Sequence, residues 1–135
     1  MSKIGFIGAG NMAEAIIKGI IDARTYRPED IIIADVRKDR LDELTEKYNI
    51  SFTTNVKLAK AVDILILSIK PQNMIAVLSE IKNAVNNDTL VVSIAAGITT
   101  ETIRKTLGFD SVVRVMPNTP ALIGQGTSVL YAAPA

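Results

Sequence analysis

The 135-residue chain contains no cysteine and no histidine. Without thiols it has no disulfide framework, no thiolate nucleophile and no Cys/His zinc cluster, and no metal site is expected. Without imidazole a histidine general base is excluded too, which removes the central group of many hydrolytic mechanisms. Aromatic residues make up 4% of the chain with no tryptophan, leaving little for a base-stacking platform. Neither sign of charge dominates. Fifteen basic and 14 acidic residues give a net charge of +1, so no field favours nucleic acid or an anionic membrane. No apolar run approaches the roughly 18 residues of a membrane span. Asn11, Glu14 and Lys18 interrupt the N-terminal apolar stretch before it can act as a signal-peptide core. The expectation is a soluble cytoplasmic protein without nucleic-acid or membrane partners.

What is abundant is apolar side chain, 48% of all residues, in short continuous runs. Lys3–Ile7, Ile31–Ala34, Ile64–Ile69, Leu90–Ile94 and Val112–Met116 read as buried strands. Between them lie helical patterns from Asn11 to Asp22, over 38–48, from Asn55 to Ala61, from Pro71 to about Val85, and from Thr99 or Thr100 to Leu107. Asn55 is placed to cap the third helix, Pro71 suits the first position of the fourth, and Glu43 and Lys47 are placed to pair across one turn. Asn11, Glu14, Lys18 and Asp22 form a single wet stripe on the first helix. Strand–helix alternation with continuous rather than alternating apolar strands predicts an α/β fold. It is a Rossmann-like, doubly wound, mostly parallel sheet with helices on both faces. A last run, Thr127–Tyr131, reads as a further strand, and the chain then stops without a closing helix.

Gly8-Ala9-Gly10-Asn11-Met12-Ala13 joins the first strand to the first helix as a G-x-G-x-x-A turn. The first glycine allows the tight turn, the second lets backbone approach a pyrophosphate, and the small third residue lets helix and strand pack. Tight helix packing alone uses similar turns. Ligands of such sheets bind outside the carboxyl ends of the strands, which makes the residues there candidates. Asp35, 22 residues past Ala13, suits the hydroxyls of an adenosine ribose. Arg37 and Lys38 beside it suit a 2′-phosphate instead, and each is also an ordinary solvated residue type for a turn. Asn55 is a cap or a ligand contact. Lys70, in Ser68-Ile69-Lys70-Pro71, brings positive charge to the next strand end. Ala95-Ala96-Gly97 offers almost no side chain, which suits a flat ring or close packing. Met116-Pro117-Asn118-Thr119-Pro120 fixes an amide and a hydroxyl between two prolines.

The stretches GFIGAGNMAEAI, ILILSIKPQ, LVVSIAAGIT and VVRVMPNTPALIGQG, in this order, resemble the pyrroline-5-carboxylate reductase family over essentially the whole chain. The resemblance implies NAD(P)H-dependent reduction of the cyclic imine Δ1-pyrroline-5-carboxylate to L-proline, with NADP(H) or NAD(H) as cofactor. It implies cofactor contacts from Ile7, Gly8, Ala9, Gly10, Asn11, Met12, Asp35, Arg37, Asn55, Ser68, Ile69, Lys70, Pro71, Ala95, Ala96 and Gly97. Asn118 and Thr119 fall on the substrate and nicotinamide side. Residues 1–135 are then the NAD(P)-binding Rossmann domain. Family members continue into a helical C-terminal domain that forms a homodimer or higher homo-oligomer and closes the substrate pocket, and this chain lacks it. No catalytic acid or base is named from this sequence. Two other readings stand beside this one. One is another reductase with the same N-terminal domain, such as a deazaflavin-dependent NADP reductase or a β-hydroxyacid dehydrogenase. The other is a non-catalytic dinucleotide-binding module.

Overall fold

The computed structural model describes residues 2–94, 98–108, 111–117 and 128–132. Seven strands, β1 (Ile4–Ile7), β2 (Ile31–Ala34), β3 (Ser51–Phe52), β4 (Ile64–Leu67), β5 (Leu90–Ser93), β6 (Val112–Pro117) and β7 (Ser128–Ala132), form one sheet in the order β3-β2-β1-β4-β5-β6-β7. The first six run parallel and β7 pairs antiparallel to β6. From β1 the chain winds outward to β2 and β3, then returns to place β4 on the other side of β1. The winding reverses between β1 and β4, and a crevice opens there at the carboxyl ends.

Among the described residues five helices cover the sheet: α1 (Asn11–Asp22), α2 (Lys38–Tyr48), α3 (Asn55–Ala61), α4 (Met74–Ile81) and α5 (Thr100–Leu107). Neighbouring strand residues serve opposite faces, so a strand must be apolar throughout. Ile4 and Phe6 pack with Ile17 and Leu44 under α1 and α2, while Ile7 packs with Leu58 and Leu78 under α3 and α4. In β4, Ile66 joins the first cluster, and Leu65 and Leu67 join the second. At Gly5 a Cβ would lie 2.5 Å from Leu58 Cδ2 and 2.8 Å from Val62 Cγ1. Its absence lets α3 sit directly on the strand backbone.

Several local expectations change in three dimensions. Thr54, not Asn55, caps α3, its hydroxyl accepting from the Lys57 N–H at 3.3 Å. The helix after Lys70 divides into a 3-10 turn, Pro71–Asn73, and α4, which ends at Ile81 rather than near Val85. Past Ile81 the chain turns, and the Asn86 side chain leaves it to donate to the Lys60 carbonyl at 3.1 Å, the local competition that makes asparagine a helix breaker. Glu43 and Lys47 do not pair with each other. Glu43 accepts from Arg40, and Lys47 reaches across to Glu14 on α1. Glu14 consequently leaves the wet stripe, because α2 packs over it.

Candidate functional site

The crevice is a cleft of about 990 Å³ at the carboxyl ends of β1, β2 and β4, at the upper end of the usual range for small-molecule sites. Its floor is the turn between β1 and α1. Gly8 has φ +100°, and a Cβ there would lie 2.4 Å from the Ser68 carbonyl oxygen. Only glycine fits. Its N–H donates to the Ala34 carbonyl at 2.8 Å, and its own carbonyl accepts from the Ser68 hydroxyl at 2.7 Å. The turn is thus fastened to both neighbouring strands.

Gly10 is different. Its backbone is extended, with φ −80° and ψ −168°, and among the described residues nothing beyond its chain neighbours lies within 4 Å of where a Cβ would stand. Neither strain nor packing within the described residues requires glycine here. It is also the N-cap of α1 and provides no side-chain cap. Ser, Thr, Asp or Asn there would satisfy a free helix N–H and stabilise the helix. As built, the first bond of α1 runs from the Glu14 N–H to the Gly10 carbonyl at 3.0 Å. The N–H groups of Asn11, Met12 and Ala13 precede it and have no intrahelical acceptor. The helix N-terminus therefore presents donors and a positive dipole end beside an uncluttered glycine, a combination suited to an anion such as a pyrophosphate.

Around the turn stands a bracing set of charges. Asp35 Oδ2 accepts from the Ala9 N–H at 2.7 Å and from Arg37 Nη2 at 3.0 Å. Its Oδ1 accepts from the Arg37 backbone N–H at 2.9 Å and from Arg37 Nε at 3.0 Å. A carboxylate has about four acceptor directions, and all four are taken. Burial opposes the charge, but the Arg37 guanidinium and the two amides outweigh it and bring the Asp35 pKa down to about 2. Arg40 Nε donates to the Ala9 carbonyl at 2.6 Å, and its Nη2 donates to Glu14 Oε1 at 2.8 Å. Lys47 and the Tyr48 hydroxyl donate to Glu14 Oε2 at 2.9 and 2.7 Å. These two bonds, joined by that of Arg40, overcome burial and lower Glu14 to about 2.

Of the residues singled out in the sequence, Ile7, Gly8, Ala9 and Gly10 line the cleft from β1. Asp35 and Arg37 line it from β2, Asn55 from α3, and Ser68, Ile69 and Lys70 from β4. Asn11 and Met12 lie in the first turn of α1, and Pro71 opens the 3-10 turn; all three flank the cleft without lining it. Lys38 turns away to pair with Asp42 and sits 4.8 Å from the centre of the Phe52 ring. Asn55 donates to Glu80 Oε1 at 2.9 Å, while the exposed Lys70 makes no ion pair among the described residues. Ala95, Ala96, Gly97, Asn118 and Thr119 lie outside the described residues.

Sequence reasoning missed Thr53 and Thr54, although they follow β3 and the strand-end rule reaches them. It also missed Asn73, Ala76, Val77 and Glu80. Their i, i+3, i+4, i+7 spacing is a readable helix face, but a mixed polar and small one. Val36, 97% exposed at the rim, is a third omission. Among the described residues no group of three or more acidic, His or Cys side chains could hold a metal, and no helix is long and apolar enough to cross a membrane.

Residues 3–97 match the family described as NADP oxidoreductase coenzyme F420-dependent. The chain belongs to this family. Its sequence is 43% identical over 130 residues to pyrroline-5-carboxylate reductase of Escherichia coli, covering 94% of this chain and 48% of that protein. The fold superposes on the pyrroline-5-carboxylate reductase structure from Coxiella burnetii with a TM-score of 0.90 and 40% identity, covering 97% of this chain and 49% of that one. The Plasmodium falciparum pyrroline carboxylate reductase, solved with NADP bound, gives a TM-score of 0.83 at 28% identity, covering 97% and 48%. The resemblance read from the motifs agrees with these likenesses. The chain spans about half the length of the curated relatives it matches.

Proposed function

We propose that this chain is the dinucleotide-binding part of a pyrroline-5-carboxylate reductase, which reduces the cyclic imine Δ1-pyrroline-5-carboxylate to L-proline with NADPH or NADH. The observation that carries the reading is Gly10, a glycine with ordinary backbone angles and open space where its side chain would be, set before uncapped helix donors. In this reading the donors of α1 hold the pyrophosphate. Asp35 and Arg37 meet the adenosine ribose or its 2′-phosphate, and the exposed Val36 gives the adenine an apolar rest at the rim. Asn55, Ser68, Ile69, Lys70 and Pro71 follow the cofactor along the cleft. Ala95–Gly97 serve the nicotinamide end, and Asn118 and Thr119 face the substrate.

A bound nicotinamide supplies the hydride. The chain's part is to hold the ring against the imine carbon at about 3–3.5 Å and exclude water, because a protonated imine is already electrophilic and positioning is most of what remains. The positive charge of Lys70, which lines the cleft without an ion pair among the described residues, favours a phosphate or a bound carboxylate there. The same reading places the enzyme in the cytoplasm as a homodimer or higher oligomer. Closure of the substrate pocket and the donor to the imine nitrogen belong to a helical domain of the kind carried by the family. A reductase of another substrate built on the same domain is the second reading, favoured by the coenzyme F420 in the family's description.

The test is calorimetric titration of NADPH and NADH into the wild-type chain and Gly10→Val. The valine side chain would occupy the pyrophosphate's space while its Cβ meets, among the described residues, nothing within 4 Å beyond its chain neighbours. The expected outcome is a folded variant, by circular dichroism, with binding abolished. Undiminished affinity for both cofactors would defeat the dinucleotide reading. Imine-dependent oxidation of NADPH, measured with the remaining half of the protein present, separates the first reading from the second.

A further inference from the structure

We infer that Arg40, which does not line the cleft, is a positioning residue that aims the Gly10 N–H by holding the Ala9 carbonyl; this rests on the dinucleotide reading above. The side chain comes from α2 and is only 13% exposed. Its fork is divided three ways, with Nε on the Ala9 carbonyl at 2.6 Å, Nη2 on Glu14 at 2.8 Å and Nη1 on Glu43 at 2.9 Å. Glu14, on α1, takes the Nη2 that shares an edge of the guanidinium with Nε, and Glu43, on α2, holds Nη1. In a trans peptide the C=O and the following N–H point in opposite directions. Pulling the Ala9 carbonyl toward α2 therefore turns the Gly10 N–H away from α2. On the other side of Ala9, its own N–H is held by Asp35. Two charged groups thus clamp both peptides of the residue between the glycines. The turn is preorganised before any ligand arrives, which lowers the ordering cost of binding.

A lysine cannot divide its donors in this planar way, and an apolar residue would take away the donors that Arg40 gives the Ala9 carbonyl and Glu14 Oε1. The role is local to the pyrophosphate. Adenosine 2′-monophosphate, which has the adenosine end and no pyrophosphate, has no use for the Gly10 donor. That gives a readout which general loosening of the fold would not reproduce.

The experiment titrates the 135-residue wild-type chain, Arg40→Met and Arg40→Lys with NADPH by calorimetry and with adenosine 2′-monophosphate by NMR. Arg40→Met is expected to bind NADPH about tenfold more weakly, the scale of a lost charge-assisted hydrogen bond, with adenosine 2′-monophosphate unchanged. Arg40→Lys, which keeps the charge and one donor, should recover part of the loss and carries the test if the methionine variant does not fold. Unchanged NADPH affinity in both variants would overturn the proposal. So would an equal loss for both ligands, which is the mark of a structural role. If wild type binds NADPH and neither variant's loss is selective, the positioning role alone falls. If wild type binds neither ligand, the dinucleotide reading beneath it falls as well.

Discussion

The two glycines of one turn, Gly8 and Gly10, are asked for by different partners. Gly8 is demanded by the protein, through a left-handed φ of +100° and the Ser68 carbonyl 2.4 Å from any Cβ. Gly10 meets no such demand. The same contrast runs through the cleft walls. On the α1–α2 side, Asp35, Arg37, Arg40, Glu14 and Lys47 are all committed to one another or to the turn. On the β4 side, Lys70 is exposed without an ion pair among the described residues. One wall is braced in advance, and the other keeps its charge available for what enters.

Substitution at Gly8 is the strongest way to separate the two glycines. Gly8→Ala must place a Cβ against a backbone oxygen at an unfavourable φ, costing about 3 kcal/mol or more of stability. Gly10→Ala should cost about 1 kcal/mol at most, a poorer N-cap partly offset by the lower entropy of the unfolded chain, and its main effect should appear in cofactor affinity. Urea denaturation of both variants measures this. Equal destabilisation would show that Gly10 also serves the fold.

Acid dissects the braced wall. Glu14 has a folded pKa of about 2 against an ordinary 4.5. A depressed carboxylate pKa contributes stability above the unfolded value, and that contribution is lost as pH falls through the folded one. Glu14→Gln should thus cost about 1–2 kcal/mol at pH 7, less than Gly8→Ala. Its denaturation curve should approach the wild-type curve as pH drops from about 4.5 toward 2. A difference independent of pH would mean that the Glu14 charge contributes nothing.

The strands and α2 were legible because their signals are local: a continuous apolar run at Ile31–Ala34, and a Leu41, Leu44 stripe in α2. The turn was legible through its glycines. What escaped is the polar network, because it joins residues with no local relation. Glu14 meets Arg40 and Tyr48 across 26 and 34 positions, while helical spacing proposed Glu43 with Lys47. Lys47 found its partner on α1, in Glu14, and Glu43 found its own one turn back on α2, in Arg40. The cap of α3 was misplaced by one residue because Thr and Asn are both good caps, and the choice between them is settled by where Asn55 finds Glu80. Glu80 and its neighbours on α4 were invisible for a related reason. A cleft wall made of Ala, Val and Asn has no composition of its own.

The finest division is within the Asp35–Arg37 pair. Asp35 was expected to accept ribose hydroxyls, yet every acceptor direction of its carboxylate is occupied, two of them by the Arg37 side chain. A cofactor with a free 2′-hydroxyl must displace Arg37 to reach Asp35. A 2′-phosphate needs Arg37 where it is, half-exposed and neutralising the carboxylate that would otherwise repel it. Arg37→Ala therefore acts in opposite directions on the two cofactors. It should weaken NADPH by about 1 kcal/mol, a loss kept small by the exposure of the guanidinium. NADH should hold its affinity or gain slightly, because Asp35 is freed. Paired calorimetric titrations of wild type and variant give the answer as a ratio of dissociation constants, in which any general damage to the cleft cancels. An unchanged ratio would mean that Arg37 serves only to brace the turn through Asp35, as Arg40 does through Ala9, and that the 2′ position is read elsewhere.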